Sequence, residues 1–359
     1  VAFYGASSVA ADRYTAYLRG YLQARFGDGG VGFVAVVPLW RWHRHDAVRV
    51  TASKHWRIEH GQRKEGKLDG YYGLLGASAH ADHKRAKTTV TVKTSAVSSL
   101  ADADSMLLQY LEQPGGGSFS LSFSGPSDVP LSAHSTQAAA FGLKTVPVEL
   151  PEAFKSLTIS PKGDGEVRLF GAIFERAQPG VVVDALGIGG TRSANMINWD
   201  QAMWSRALQD RAPDLYVLAY GANESVDEDE PIEVYRENLE AVLDRFAAAA
   251  PGASCLLVGP VDYPKKDEET ETWGVRPRVR AIIDVQRSLA AERGCGFFDT
   301  AALTGGLGSM PAWVAAEPQL AKGDHLHLST LGYLYFGRVL SDALMADFDG
   351  PPRAPIATP

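Results

Sequence analysis

Two stretches at opposite ends of the chain carry residue types that together can transfer an acyl group. Near the C-terminal end lies Gly323-Asp324-His325-Leu326-His327-Leu328-Ser329. A carboxylate beside an imidazole fixes the ring's tautomer and stabilises its charged form, which a general base requires. The i, i+3 spacing in a turn brings Asp324 and His327 together and sends His325 elsewhere. Near the start lies Phe3-Tyr4-Gly5-Ala6-Ser7-Ser8-Val9-Ala10. A serine hydroxyl becomes a useful nucleophile once a base takes its proton. At a strand-to-helix turn the Ser7 hydroxyl is exposed, and its own N–H can face a developing oxyanion. Taken alone, Ser7 or Ser8 would serve as a helix cap, and Asp324–His327 as a surface pair.

Two more stretches offer oxyanion donors. Gly187-Ile188-Gly189-Gly190-Thr191 and Leu218-Ala219-Tyr220-Gly221-Ala222-Asn223-Glu224 each end an apolar run. The Asn223 amide can donate to an oxyanion, while Gly221 lets the backbone approach. The Gly190 N–H is the second candidate donor. Four polar elements, each after a different strand, then share one edge of a sheet.

The elements that must position them follow from periodicity. Val1–Tyr4 reads as a buried strand and Gly5–Ser8 as a turn. Val9 to Phe26 reads as a helix, with Tyr14, Tyr17, Leu18, Tyr21, Leu22 and Phe26 on its apolar period. Gly27-Asp28-Gly29-Gly30 ends it. From about Trp40 to Arg176 the pattern is short and alternating: Val90/Val92, Phe119/Leu121/Phe123, Leu157/Ile159 and Val167/Leu169. Gly, Pro and Ser clusters separate these runs, as in an antiparallel sandwich or barrel. Beyond Pro179-Gly180, continuous apolar runs return at Val181–Leu186, Asp214–Tyr220, Ser254–Pro260 and Gly296–Asp299. Such runs suit strands buried on both faces. Helices are expected from about Pro231, from Pro277 to Arg293, and after Gly332. Strands alternating with helices define a parallel, doubly wound sheet.

The expected assembly is therefore one α/β domain made of residues 1–36 and 179–348, interrupted by a β-rich insert over residues 37–178. The insert leaves and returns on the edge where βα loops cluster, so it should overhang the site. Residues 349–359 read as a disordered tail. A length of 359 residues suits two domains better than one. The net charge of -7 argues against nucleic acid as a partner. No apolar run is long enough to span a bilayer. The chain starts inside a strand, which reads as a processing boundary. Cys255 and Cys295 each stand near the start of a core strand. They read as buried thiols or as one disulfide between neighbouring strands, the latter needing an oxidising compartment.

The whole pattern resembles the SGNH (GDSL-type) hydrolase superfamily, whose four blocks supply Ser, Gly, Asn and His. Ser7, Gly190, Asn223 and His327 stand in those places, with Asp324 as the triad acid of the family's Asp-x-x-His. His327-Leu328-Ser329-Thr330-Leu331-Gly332-Tyr333 is the most specific part of the likeness. The resemblance implies a flavodoxin-like three-layer α/β/α fold. It implies catalysis by Ser7, Asp324 and His327, with an oxyanion hole from Ser7, Gly190 and Asn223, and neither metal nor cofactor. The insert, together with Arg19–Gly30 before it, resembles the bacterial peptidoglycan O-acetylesterase type. There the insert is a jelly-roll similar to carbohydrate-binding modules and the enzyme is exported, periplasmic or secreted. One departure stands out: the family's Gly-Asp-Ser is here Gly5-Ala6-Ser7, followed by Ser8.

Within the insert, Trp40, Trp42, Trp56, Tyr71 and Tyr72 suit either a buried core or stacking on sugar rings. Arg41, Arg44, Lys54, Arg57, Arg63, Lys64, Lys84, Arg85 and Lys87 make it locally basic, as a solvated face or as an attraction for an anionic polymer. His43/His45 and His80/His83 have loose metal-like spacing without a completing set. Asp227–Glu230 lacks calcium-loop spacing. The expected activity is removal of acetyl or another small acyl group from an acetylated polysaccharide, most of all peptidoglycan. The competing expectations are an O-acyltransferase using the same residues and a degenerate, glycan-holding protein.

Overall fold

The computed structural model describes residues 1–94, 98–126 and 132–349. Five strands run parallel: β1 (Ala2–Gly5), β2 (Asp184–Gly187), β3 (Leu215–Ala219), β4 (Ser254–Val258) and β5 (Gly296–Phe298). Their order is β2-β1-β3-β4-β5, so β1 lies at the centre of a topological switch. Ala2 of β1 faces Asp184 on one side and Tyr216 on the other. This is the flavodoxin-like order that the family resemblance implies.

The apolar runs are explained by two covered faces. Tyr4 of β1 points into a core with Trp204, Tyr216 and Phe246, while Phe3 points into another with Tyr14, Leu18 and Phe336. Successive residues of a strand face opposite sides, so both must be apolar. Helices α1 (Ser7–Ala10), α2 (Tyr14–Phe26), α3 (Gln201–Arg211), α4 (Ile232–Ala249) and α5 (Pro277–Arg293) flank the sheet, followed by short α6 (Thr300–Leu303) and α7 (Met310–Ala315), then α8 (Thr330–Asp349). Helices α2 and α8 pack together, as do α3 with α4 and α4 with α5. Among the described residues no helix is long and apolar enough to cross a membrane.

Between α2 and β2 the chain builds two antiparallel sheets. One contains Arg57–His60, Ala77–Ala81, Ser105–Glu112, Gly142–Val148 and Val167–Glu175; the other contains Val48–Ala52, Thr88–Val92, Ser118–Ser124, Ser132–Ser135 and Ser156–Pro161. Phe119, Leu121, Leu157, Ile159, Val167 and Leu169 fill the space between them. These are the alternating positions that the sequence pattern picks out.

Several expectations need correction. The helix expected from Val9 to Phe26 is broken after Ala10, because Asp12 adopts a left-handed φ of 45°. The buried Asp12 carboxylate accepts bonds from Thr15, Arg19 and the Asp46 N–H, and those bonds compensate the strain. Gly32–Val34, assigned on sequence to the α/β part, pairs with Val167–Glu175 of the insert sheet. Helix α8 starts two residues before Gly332, which is needed inside it: a Cβ there would meet the Leu320 carbonyl at 2.0 Å. The tail expected from residue 349 lies outside the described residues apart from Asp349, which ends α8 and pairs with Arg25. Cys255 and Cys295 form a disulfide between β4 and the residue before β5.

Candidate functional site

Ser7 opens α1 two residues after the end of β1, at the switch point of the sheet. The turn is tight: a Cβ on Gly5 would stand 2.3 Å from the Val9 side chain and 2.8 Å from the Ala219 carbonyl. Ala6 is buried beneath the turn, in the place where the family carries Asp.

The second stretch is a closed loop leading into α8. Ala321 bridges to Leu328, and the Lys322 N–H donates to the His327 carbonyl. His325 carries the reversal at a φ of 56° and stacks on Trp273, ring centroids 3.7 Å apart. Its neighbours are thereby aimed the other way. Asp324 Oδ1 accepts the N–H groups of Leu326 and His327, and Oδ2 lies 2.8 Å from His327 Nδ1. Partial burial works to raise the Asp324 pKa, but the bonds from His327 and Leu326 outweigh it and hold the carboxyl below its ordinary value. Across 320 residues of sequence, His327 Nε2 stands 2.9 Å from Ser7 Oγ. With Nδ1–H donating to Asp324, Nε2 is left to accept the serine proton. Ser8 lines the same cavity, while the contact to His327 is made by Ser7.

Asn223 reaches the same cavity, of about 60 Å³, which Ser7, Tyr220, His327 and Tyr333 also line. One Asn223 Nδ2 hydrogen is used on the Thr191 carbonyl at 2.8 Å, which leaves the other free to donate. That bond ties the Asn223 turn to the Gly190 turn. Glu224 braces both from beneath: it accepts the Ser193 N–H at 2.8 Å and the Gly221 N–H at 3.0 Å. Burial pushes the Glu224 pKa up, against the pull of those donors. Neither Ser7 nor Gly190 has a backbone acceptor for its N–H among the described residues. The arrangement can deprotonate a hydroxyl and present donors to an oxyanion beside it.

The insert contributes groups that the sequence did not single out for this place. Gln62 Nε2 donates to the Gly190 carbonyl at 2.7 Å. The Trp40 ring lies against Gly189 so closely that a Cβ there would meet it at 1.6 Å. Trp40, Trp42 and Arg44 wall an outer crevice of about 420 Å³ that Ser7, Asp324 and His327 also line. By contrast, Trp56 and Tyr72 are buried, and Tyr71 stacks on Phe141. The paired histidines serve local structure. His45 Nδ1 accepts the Ala47 N–H, His80 lies between Glu59 and Glu166, and His83 stacks on His55. Among the described residues no group of three or more His, Cys, Asp and Glu could hold a metal ion.

A flavodoxin-like sheet with serine, imidazole and carboxylate meeting at its C-terminal edge marks a hydrolase of the acyl-transferring kind. The profile of the GDSL-like Lipase/Acylhydrolase family matches residues 156–334, which include Gly190, Asn223, Asp324 and His327. The chain belongs to the SGNH (GDSL-type) hydrolases and is a carboxylic ester hydrolase. Ser7 lies outside the matched range and is joined to it by geometry alone. A solved peptidoglycan O-acetylesterase is 24% identical and covers 96% of this chain and 90% of its own, with a TM-score of 0.76. A salicylyl-acyltransferase from a tetracycline biosynthetic pathway is 15% identical, covering 86% of this chain and 99% of its own at a TM-score of 0.35. A carbohydrate acetylesterase from Sinorhizobium meliloti is 15% identical, covering 46% and 78% at a TM-score of 0.34. No curated protein sequence matches the chain.

Proposed function

We propose that the protein is a serine esterase that removes O-acetyl groups from a carbohydrate polymer, with peptidoglycan as the foremost substrate. The observation that carries this is the relay itself: Ser7 Oγ at 2.9 Å from His327 Nε2, and His327 Nδ1 at 2.8 Å from Asp324 Oδ2. His327 takes the proton as Ser7 Oγ attacks the ester carbonyl. The Ser7 and Gly190 N–H groups and the Asn223 amide receive the oxyanion, each key donor contributing about 3–4 kcal/mol in comparable enzymes. His327 returns the proton to the departing sugar hydroxyl. Water then attacks the acyl-enzyme with His327 again as base, releasing acetate and restoring Ser7.

Size supports a short acyl group. The inner cavity of about 60 Å³ would hold a handful of waters at about 10–15 Å³ each, not a fatty chain. The outer crevice is within the range of ligand pockets and is walled by tryptophan, a partner for sugar faces. The fold likeness to a peptidoglycan O-acetylesterase extends over the insert as well as the parallel sheet, which favours a glycan substrate. The Cys255–Cys295 disulfide favours an exported protein.

The test is acetate release from O-acetylated peptidoglycan, acetylated xylan and p-nitrophenyl acetate, comparing the parent with Ser7→Ala. We expect release from peptidoglycan, lowered by at least about 10³-fold in the variant. Equal rates in both proteins would remove Ser7 from the reaction, and release from xylan alone would move the substrate away from peptidoglycan.

A further inference from the structure

The outer crevice is positively charged, against the acidic balance of the chain as a whole. The chain as a whole is acidic, with 42 Asp and Glu against 35 Lys and Arg. Yet the crevice beside Ser7 is lined by three cations, Arg13, Arg44 and Lys322, from three separate segments: the α1–α2 link, the start of the insert and the loop before His327. Its one carboxylate is Asp324, already engaged by His327 and Leu326. Elsewhere the arginines are mostly paired: Arg19 with Asp12, Arg168 with Asp69, Arg192 with Asp227, Arg211 with Asp184 and Glu175. Among the described residues Arg13, Arg44 and Lys322 make no ion pair.

Like charges gathered round one concavity repel each other and persist only where something else is gained. Here their common focus is the mouth of the site. Arg44 is further held in place: it donates to the Arg41 carbonyl at 2.7 Å and the His43 carbonyl at 2.9 Å, and lies 6.0 Å from the Trp42 ring centre. Arg41 lies closer over the same ring, at 4.3 Å, so the charge and the indole belong to one packed wall of the crevice.

We infer that the crevice selects a glycan bearing a carboxylate close to the ester, with Arg13, Arg44 and Lys322 receiving the carboxylate and Trp40 and Trp42 receiving the sugar face. This rests on the esterase reading for the position of the ester. The charge preference itself can be read without chemistry. Because the inner cavity admits only a short acyl group, the anion belongs to the alcohol side of the substrate, the part that departs with the His327 proton. The three cations then act as specificity residues and leave the acyl-transfer steps to Ser7, His327 and Asp324.

The experiment uses a matched pair of acetylated oligosaccharides: one with a uronic acid beside the acetylated sugar, and the same molecule with its carboxyl group reduced to an alcohol. Binding of both to the Ser7→Ala protein is measured by calorimetry, and acetate release from both by the parent. We expect the acidic member to be favoured about tenfold in both measurements at low salt, since exposed ion pairs are individually weak and three act together. The preference should shrink as salt rises, because these charges are open to screening. The triple variant Arg13→Gln/Arg44→Gln/Lys322→Gln should lose the preference. Lys54→Gln/Lys84→Gln/Arg85→Gln, which removes as much charge from the insert outside the crevice, should keep it. Equal binding of acidic and neutral sugars at low salt overturns the inference, as does a preference that survives the triple variant. If no acetate is released from any ester, the esterase reading fails, and the calorimetry still decides whether the crevice selects a carboxylate.

Discussion

Gln62, a residue of the insert, donates its side-chain amide to the Gly190 carbonyl at 2.7 Å across 128 positions of sequence. The bond makes the insert part of the machinery and not an appendage. Gly190 has a φ of 81°, and its N–H is a proposed oxyanion donor; anchoring its carbonyl restrains a glycine turn that could otherwise reorient that donor. Gln62→Ala should lower kcat by about tenfold with little change in KM, since a donor aimed wrongly is felt in the transition state more than in the bound ester. Steady-state kinetics on p-nitrophenyl acetate reads this. A variant indistinguishable from the parent would mean that the Gly190 turn is rigid on its own.

Asp324→Asn is a sharper probe than Asp324→Ala. The amide oxygen can still accept the Leu326 and His327 N–H groups, so the turn survives. Its NH₂ then faces His327 Nδ1 and makes that nitrogen an acceptor, which puts the ring proton on Nε2, the atom facing Ser7. We expect kcat to fall by about 10⁴-fold with melting unchanged, the order found when a triad carboxylate is amidated elsewhere. Activity within a few-fold of the parent would assign Asp324 to holding the loop only.

Glu224 carries a test of the brace beneath the oxyanion donors. It satisfies the N–H groups of Ser193 and Gly221, both buried within the turn region. Glu224→Ala strands two donors at about 1–3 kcal/mol each. The expected result is a loss of about 2–4 kcal/mol in urea unfolding, together with reduced kcat because Asn223 is displaced. Glu224→Gln keeps one acceptor and should fall between. If both variants match the parent in stability, the turn is held from elsewhere.

How far such groups can be read from sequence depends on whether their partners are local. Helix α5 runs from Pro277 to Arg293 as expected, because a proline suits its first turn and Gly294 its end. Ser7, Asp324 and His327 were legible because each carries its chemistry in its own turn. Gln62 and Arg13 were not, and Trp40 was legible only as an aromatic suited to a core or to a sugar face. Nothing in their neighbourhoods ties them to the site, and they acquire that meaning only when the insert folds back over Gly189 and Gly190. Asp12 fails for a related reason. Its helix-breaking conformation is stabilised by Arg19 and by the Asp46 backbone, the latter 34 residues away. Helix α3 was passed over because its apolar face is short, Met203, Trp204, Ala207 and Leu208.

Acid should loosen the junction of sheet and insert. Asp184 is buried, and burial alone would raise its pKa; the charge and bonds of Arg211 outweigh this, aided by the Phe33 N–H, and hold the carboxyl below its ordinary value. A carboxyl with a depressed folded pKa adds stability above its unfolded value, about 4, and loses it as pH falls through the folded one. Asp12 and Glu166 act in the same direction, Glu166 being lowered to about 2. The melting temperature should therefore change little above about pH 5 and drop below about pH 4. Asp184→Asn should melt lower at neutral pH but with a shallower acid slope. Parallel slopes for parent and variant would exclude Asp184 from the transition.

The disulfide gives the last test. Cys255 and Cys295, 40 positions apart, join β4 to the chain entering β5, the edge strand of the parallel sheet. Beyond β5 the chain continues through α6 and α7 to the Asp324–His327 loop, so an edge that frays would release the base from Ser7. Closing a loop of this size stabilises a fold by about 2–4 kcal/mol, chiefly by restricting the unfolded chain. Cys255→Ser/Cys295→Ser should lose that much in guanidinium unfolding, while kcat at moderate temperature stays near the parent's, since the bridge lies at the opposite end of β4 from Gly259 and the site. Inactivation at rising temperature should set in earlier for the variant, with loss of acetate release preceding global melting. If reducing agent leaves the parent's unfolding curve unmoved, the two sulfurs are acting only as buried apolar groups.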